Sequence, residues 1–500
     1  MNKSTRLVHV DTTDLSKPFQ SNNSIEEAAF LKGIRDGVLG AGATITTPFG
    51  TKPLRYFDFI ASGRFHKDVE DEIAEKVLPF MANTHTEVNY TGKLMTGYYE
   101  KAFHRIGGYL NASVDDVLIP VGSGSTGAIN RLITVLGLRM PESIRATASY
   151  EDCMTEIERP VIFRSMMEHH SNDIAWRESI GEMVYIEFNA EGTISLEDLV
   201  DKLEFYKDRR YKIGTFSAAS NVTGILNDCH ALANVLHKNE ALAFFDFAAA
   251  GPYIDIDMHP EGDPEGYFDA IFLSIHKFLG GPRCPGLLVA NKKLFTNLVP
   301  SEPGGGTVLF TSPWDHRYLS AIDDRETGGT PPIVQSIQAG LAFDLKAVMG
   351  AERTAGIEHD YVERACNAWK NNANIHILGN TEIPRLGVLS VVFKDVHHNL
   401  ASSLFNDYFG IQVRGGCMCA GPYAHRLLKI DEKWSAQILS RVSTGSNGGR
   451  PGWVRISLSP TVSEEEFQVM LEAVDFIASK GKSYEDKYEL VDETGEWVLK

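Results

Sequence analysis

Short apolar runs, each set off by longer mixed stretches, dominate the middle of this chain. Val161-Ile162-Phe163, Met183-Val184-Tyr185-Ile186, Ile213-Gly214-Thr215-Phe216, Ala241-Leu242-Ala243-Phe244-Phe245 and Ala270-Ile271-Phe272-Leu273 are apolar or small at successive positions rather than at every second one. A strand with that pattern is buried on both faces. Alternating with helical stretches, such strands predict a mostly parallel sheet covered by crossover helices. Asp116-Val117-Leu118-Ile119-Pro120-Val121 reads as another strand, and Ala128, Ile129, Leu132, Ile133 and Leu136 behind it recur at helical period. Residues 332–351 predict a long helix leaving this large lobe. Strands near 386–393, 411–414 and 454–457 predict a smaller α+β lobe after it. The predicted class is therefore α/β, with no internal repeat or low-complexity tract. Residues 1–25 and 481–500 read as polar or charged extensions, the first mobile, the second able to dock through Trp497-Val498-Leu499.

Composition narrows the function classes. A hydrophobic content of 43% and a charged content of 23% belong to a soluble globular protein with a substantial core. The formal charge of −18 argues against nucleic acid or an anionic membrane as partner. Met1-Asn2-Lys3-Ser4-Thr5-Arg6 is not followed by an apolar signal core, and no 18-residue apolar run occurs, so a cytoplasmic location is expected. Six cysteines are scattered without framework spacing, which excludes a disulfide-built scaffold.

The chemistry-bearing positions fall at the ends of the apolar runs. Lys277 follows Leu273-Ser274-Ile275-His276 and precedes a Gly280-Gly281-Pro282 turn. A lysine at a buried strand end is costly unless its amine is neutral, paired or covalently used, and a Schiff base to an aldehyde cofactor is one way out. A solvated loop lysine is the plainer alternative. Asp246 ends another apolar run, where a carboxylate either caps the next segment or pairs with a pyridinium nitrogen. His169 offers a flat ring that can stack on a pyridine, and Asn221 a donor for a ring hydroxyl. Gly122-Ser123-Gly124-Ser125-Thr126-Gly127 lies between a strand and a helix start. Free N–H groups and the helix dipole there suit a phosphate dianion. The loop lacks the endings of a P-loop or a dinucleotide fingerprint.

In this order and spacing the segments resemble the class V aminotransferase family of pyridoxal-phosphate enzymes, above all cysteine desulfurases and selenocysteine lyases. The most specific parts are Glu168-His169-His170-Ser171-Asn172 with Trp176, Ser220-Asn221-Val222-Thr223-Gly224, Ser274-Ile275-His276-Lys277 and Gly304-Gly305-Gly306-Thr307. Glu326-Thr327-Gly328-Gly329-Thr330-Pro331 and Arg414-Gly415-Gly416-Cys417-Met418-Cys419-Ala420 complete them. The resemblance spans about residues 56–472. It implies the pyridoxal-phosphate fold type I: a large domain, 26–345, with a mostly parallel seven-stranded sheet, and a small C-terminal α+β domain, 346–480. The extensions are then 1–25 and 481–500, and the N-terminal part of the large domain also contributes to the small lobe.

The same resemblance implies roles. Lys277 is expected to hold pyridoxal 5'-phosphate as a Schiff base, Asp246 to pair with the ring nitrogen, His169 to stack on the ring and Asn221 to lie beside the ring oxygen. Ser125, Thr126, Ser274 and His276 are expected as phosphate ligands, with Thr330 reaching the phosphate of a neighbouring subunit, hence a homodimer. Arg414 and Arg455 fall where the family holds the carboxylate of a small amino-acid substrate. Cys419 aligns with the persulfide-forming cysteine, which implies a sulfur-acceptor protein as a possible partner. Cys417 stands where many relatives have histidine. Read without the resemblance, the two thiols are equally ordinary loop residues or half of a metal site; no metal is expected.

Two departures bear on the substrate. Ala249 replaces the glutamine that usually ends the Asp-Gly-Ala-Gln run, and a long insertion separates Cys419 from Arg455. The leading expectation is a C–S or C–Se lyase using Lys277 and Cys419. The alternatives are another pyridoxal-phosphate reaction (transamination, epimerisation or a different lyase) in which Cys419 is incidental, and a non-enzymatic scaffold.

Overall fold

The computed structural model describes residues 27–84, 86, 88–145, 147 and 154–500; the extension expected over residues 1–25 and Cys153 lie outside the described residues. Seven strands build the central sheet: β1 (Asp116–Val121), β2 (Val161–Ser165), β3 (Glu182–Ile186), β4 (Lys212–Ser217), β5 (Leu242–Asp246), β6 (Ala270–Ser274) and β7 (Gly286–Asn291). Their order is β1-β7-β6-β5-β4-β2-β3. Strands β2 to β6 pair in parallel, and β7 runs antiparallel to both of its neighbours. Every residue of β2, β4 and β6 is buried, including the polar Arg164, Ser165, Lys212, Thr215 and Ser217 that flank or interrupt the apolar runs.

Successive residues feed two separate cores. Phe163, Phe216, Phe245, Ile271 and Leu287 point into one, while Ile162, Ile213, Phe244, Phe272 and Leu288 point into the other. Burying each of these side chains stabilises the sheet by about 1.5–3 kcal/mol. Helix α1 (Tyr90–Tyr109) is of the large lobe. Helix α2 (Gly124–Val135) lays Ala128, Ile129, Leu132 and Ile133 on the second face, which is the period read from sequence. Helix α3 (His170–Arg177) follows β2. Helix α4 (Ile333–Met349) is the predicted exit helix and is buried along most of its length. It stops at Gly350, whose φ of 77° breaks the helical path before the next helix, Ala351–Trp369.

The small lobe is a four-stranded antiparallel sheet of β8 (Ile375–Ile377), β9 (Val388–Phe393), β10 (Arg414–Gly416) and β11 (Trp453–Ser457) in the order β8-β9-β11-β10. It packs on α5 (His398–Phe409) and α7 (Glu464–Lys480), with the inserted helix α6 (Glu432–Ser443) between them in sequence. A capping box starts α7, since Ser463 and Glu466 satisfy each other's backbone N–H. Residues from early in the chain complete this lobe. Arg55–Tyr56 pairs in parallel with Ile411–Gln412, and Phe57 and Phe59 lie in the small-lobe core.

The inserted helix α6 has no buried residue, and Trp434 and Leu439 are exposed on it. The last residues do dock, as a hairpin of Tyr488–Val491 and Glu496–Leu499. Tyr488 is buried and donates to Asp407 Oδ2 at 2.7 Å, and Trp497 Nε1 donates to His397 Nδ1 at 3.1 Å. The hairpin turn holds the end of the insertion: Asn447 and Gly448 N–H groups donate to Asp492 O at 2.7 and 3.1 Å.

Candidate active site

Sheet register places Asp246 and Ser274 at the same end of the sheet. Ser217 faces Asp246 across β4 and β5, Asp246 faces Phe272 across β5 and β6, and Ser274 ends β6. Because β7 is inserted antiparallel, Gly286 faces both Ser274 and Val121, which brings the loop after β1 to the end of β6. That approach requires glycine. A Cβ on Gly286 would lie 2.3 Å from Gly124 O, and one on Gly124 would meet Ser274 Oγ at 2.8 Å and His276 Cε1 at 2.9 Å. Gly124 also sits at φ 58°. Ser125 N donates to Ser274 Oγ at 2.9 Å, and Ser274 Oγ donates to Ser125 Oγ at 3.1 Å. Ser125, Ser274 and His276 thus converge on the N-terminus of α2. Thr126 is on the same turn, but its exposed hydroxyl is paired with Ser171 Oγ at 2.6 Å.

Lys277 lies in a single 3-10 turn after β6 and is half-buried. Desolvation lowers its pKa to about 8. Asp246 opposes that shift, Arg455 and Arg414 add to it, and Asp58 opposes it weakly. Asp246 is buried, and burial raises its carboxyl pKa. The Ala248 N–H, which donates to Oδ1 at 2.9 Å, the charge of Lys277 and the Ser125 hydroxyl pull it back. A buried carboxylate with this much desolvation calls for a nearby cation. His169 caps α3: its Nδ1 accepts from Ser171 N at 3.1 Å, which leaves the ring proton on Nε2. Burial and then Lys277 lower its pKa to about 4, so the ring is neutral at physiological pH. Burial and Lys277 likewise lower His276 to about 4.

Beneath His169 the rest of its motif forms a buried polar chain. Ser165, Ser217 and Asn172 donate to Glu168 at 2.5, 2.6 and 2.7 Å, while Trp176 and Thr215 donate to Asn172 Oδ1 at 3.0 and 2.7 Å. The chain ties α3 to β2 and β4, and thereby fixes where His169 stands.

The small lobe closes the site. Arg414 and Arg455 are cross-strand partners on β10 and β11. Asp58 lies between them, accepting from Arg414 Nε at 3.0 Å and from Arg455 Nη2 at 2.7 Å. Arg455 Nη1 donates to Asn221 O at 3.1 Å. Arg455 is buried, whereas the Arg414 side chain is 53% exposed and keeps its terminal nitrogens for other partners. Sequence reasoning missed Asp58, which lies 356 and 397 residues from its arginines with no local pattern to mark it.

The cysteine loop is anchored through its backbone carbonyls and N–H groups. Asn221 Nδ2 donates to Met418 O at 2.8 Å, His170 N to Cys419 O at 2.7 Å, and Gly421 N to His170 Nε2 at 2.9 Å. Asn221 is therefore a bridge between the two lobes. Cys419 is exposed, and Cys417 half-buried. Ala249 is buried with no side chain to replace the expected glutamine. Thr330 is exposed, in a surface cavity of about 500 Å³ lined also by Gly122, Arg131 and Glu302. Among the described residues no cluster of His, Cys, Asp or Glu could hold a metal ion, and no helix is long and apolar enough to cross a membrane.

Lys277 just past the end of β6, the buried Asp246 at the end of neighbouring β5, and the Ser125–Ser274 pair at the N-terminus of α2 thus lie at one end of the sheet. A model of the family described as Aminotransferase class-V matches residues 55–470. The chain belongs to the class V aminotransferases. Members of this family are pyridoxal-phosphate-dependent enzymes, and the hairpin after Tyr488 lies beyond the matched segment. Among class V relatives, a probable cysteine desulfurase of Halalkalibacterium halodurans is 28% identical over 375 residues, covering 74% of this chain and 85% of the relative. One from Staphylococcus aureus (strain Mu50) is 27% identical over 376 residues, covering 74% and 84%. The apo structure of a cysteine desulfurase from Thermococcus onnurineus NA1 superposes with a TM-score of 0.68 at 21% identity, over 85% of this chain and 95% of that one. The cysteine desulfurase CsdA of Escherichia coli gives 0.67 at 22% identity, over 91% and 98%. At these identities the two structures speak for the fold.

Proposed function

We propose that this class V enzyme is a cysteine desulfurase-type C–S or C–Se lyase that binds pyridoxal phosphate at Lys277. The donor set fits that cofactor. The Gly124–Ser125–Ser274 cradle at a helix N-terminus accepts a phosphate, the buried Asp246 offers its charge to a pyridinium, and the neutral His169 ring offers a stacking face. When bound, pyridoxal phosphate supplies an aldehyde for amines and a ring that withdraws electrons from the substrate α-carbon.

The chain's own residues divide the remaining work. The free end of Arg414 binds the substrate carboxylate, while Asp58 and Asn221 hold Arg455 behind it. The Lys277 amine, with a pKa of about 8, both takes and gives protons at the substrate carbon near neutral pH. The Cys419 thiolate attacks the substrate sulfur, an S–S bond forms as the C–S bond breaks, and the carbon fragment keeps that electron pair and is protonated. The product pair is a Cys419 persulfide and alanine.

The observation that carries this reading is the anchoring of the Cys419 turn. His170 N holds the Cys419 carbonyl, so the exposed thiol stands beside the helix end that presents His169. We also propose a homodimer. Thr330 lies in a surface cavity, and the hairpin of Val308–Thr311 and His316–Tyr318 beside it exposes Leu309, Phe310 and Trp314, with Trp314 91% exposed.

The test is Cys419→Ser in the cofactor-loaded protein. Alanine and sulfide formation from cysteine should be lost, while the absorption change on adding cysteine should remain, because cofactor binding belongs to Lys277. Full activity in that variant refutes the persulfide route.

A further inference from the structure

We propose that Cys417 is a resolving thiol for Cys419: it attacks the Cys419 persulfide, closes a Cys417–Cys419 disulfide and releases the sulfur as sulfide. The inference rests on the desulfurase reading above and adds a fate for the sulfur.

Three observations bear on it. First, residues 417–420 form a tight reverse turn. Ala420 N donates to Cys417 O at 3.2 Å, and the two central residues, Met418 and Cys419, both have φ 55°. That is a type I′ turn, which ordinarily uses Asn and Gly because other residues resist the left-handed region. Holding two non-glycine residues there costs of order 1–2 kcal/mol each. Strain of this kind persists where the surroundings enforce it, and here they do. Met418 is 6% exposed within a cluster of Met167, Val222, Tyr423 and Trp453, and Asn221 and His170 hold the two turn carbonyls.

Second, the turn fixes the two cysteines close together. Two steps of about 3.8 Å between Cα atoms, bent at a left-handed residue, keep Cys417 and Cys419 within the roughly 4.4–6.8 Å that a disulfide spans. Both are free thiols. Third, Cys417 is half-buried against that same apolar cluster while Cys419 is exposed. Cys419 can therefore meet substrate from the open side with Cys417 behind it. The other described thiols are not placed to resolve a persulfide there. Cys229 and Cys284 are buried, and burial raises their pKa values, while Cys366 lies on the helix Ala351–Trp369 in the small-lobe core.

The step balances without an added oxidant. The Cys417 thiolate attacks Cys419 Sγ, a bond forms between the two Sγ atoms, and the outer sulfur leaves with the electron pair of the S–SH bond as hydrosulfide. The sulfane sulfur gains two electrons, and the two cysteines lose them. A low-molecular-weight thiol then reduces the disulfide by exchange, which suits a bond on an exposed, strained turn.

The experiment is a limited turnover of the holoenzyme with cysteine and no added thiol, quenched in acid, with the Cys417–Cys419 peptide mapped by mass spectrometry. The wild type should carry an internal disulfide, lighter by two hydrogens, and release one equivalent of sulfide. Cys417→Ser should carry one extra sulfur on Cys419 and release no sulfide until a thiol is added. A wild-type protein with a lasting persulfide and no disulfide overturns the proposal. If Cys417→Ser forms alanine but never bears sulfur at Cys419, the desulfurase reading fails, and the proposal with it. A second measurement needs no turnover: inorganic polysulfide added to the holoenzyme should produce the same disulfide. A stable persulfide at Cys419 there counts against resolution by Cys417.

Discussion

The titration of Lys277 puts the electrostatics of the site to a direct test. Its amine falls from the ordinary 10.5 to about 8 because burial strips water from the charged form. At pH 7 that raises the neutral fraction about 300-fold, equivalent to about 3.4 kcal/mol. The environment is balanced by named charges: Asp246 and Asp58 favour the ammonium, whereas Arg455 and Arg414 disfavour it. Competitive labelling of the cofactor-free chain with a trace acylating reagent, read as the modification of the Lys277 peptide across pH, measures the midpoint. It should lie near 8, with the amine protonated below and reactive above. Asp246→Asn removes an opposite charge and should move the midpoint down. Arg455→Met removes a like charge and should move it up. Opposite displacements are diagnostic, since a loosened site would relieve desolvation and raise both. A midpoint above about 10 in the wild type, or shifts of the same sign in the two variants, refutes the account.

Asp58→Asn should lower stability by about 3 kcal/mol in urea titrations, because Arg455 is left as a buried charge without its carboxylate; half-exposed Arg414 adds little. The same variant should raise KM for the amino acid more than it lowers kcat. Gly124→Ala should lower stability in urea titrations by at least the left-handed penalty of about 1–2 kcal/mol, the clash at Ser274 adding to it. Tyr488→Phe should cost about 1–3 kcal/mol by removing the donor to buried Asp407, and an unchanged unfolding midpoint would argue that the hairpin contributes nothing.

What was legible in the sequence follows the range of the interactions. The parallel strands were readable because burial on both faces leaves continuous apolar runs, and Lys277 and Asp246 because each ends such a run. The Glu168–Trp176 network was visible as a motif, although its geometry beneath His169 was not. Asp58 was invisible. A carboxylate that matters through two arginines on other elements leaves no local signature. The hairpin did have one: Tyr488-Glu489-Leu490-Val491 and Glu496-Trp497-Val498-Leu499 flank a turn ending in Gly495, which is a hairpin pattern rather than a charged extension. The bonds from Asn221 and His170 that hold the Cys419 turn left no local pattern either, since both partners lie about 200 or more residues away in sequence.

The way the small lobe is stitched together has a consequence for the order of assembly during synthesis. All seven strands of the large sheet lie between Asp116 and Asn291, so that sheet can close while the ribosome is still adding later residues. The small lobe cannot. Its core needs Phe57 from early in the chain and Tyr488 from near its end, and Arg455 reaches Asp58 only across 397 residues. The nascent chain thus carries the residues of 55–59 unpaired until the lobe that receives them has emerged. The cluster of Asp58, Arg414 and Arg455, proposed above to hold the substrate carboxylate, is therefore among the last parts of the molecule to form.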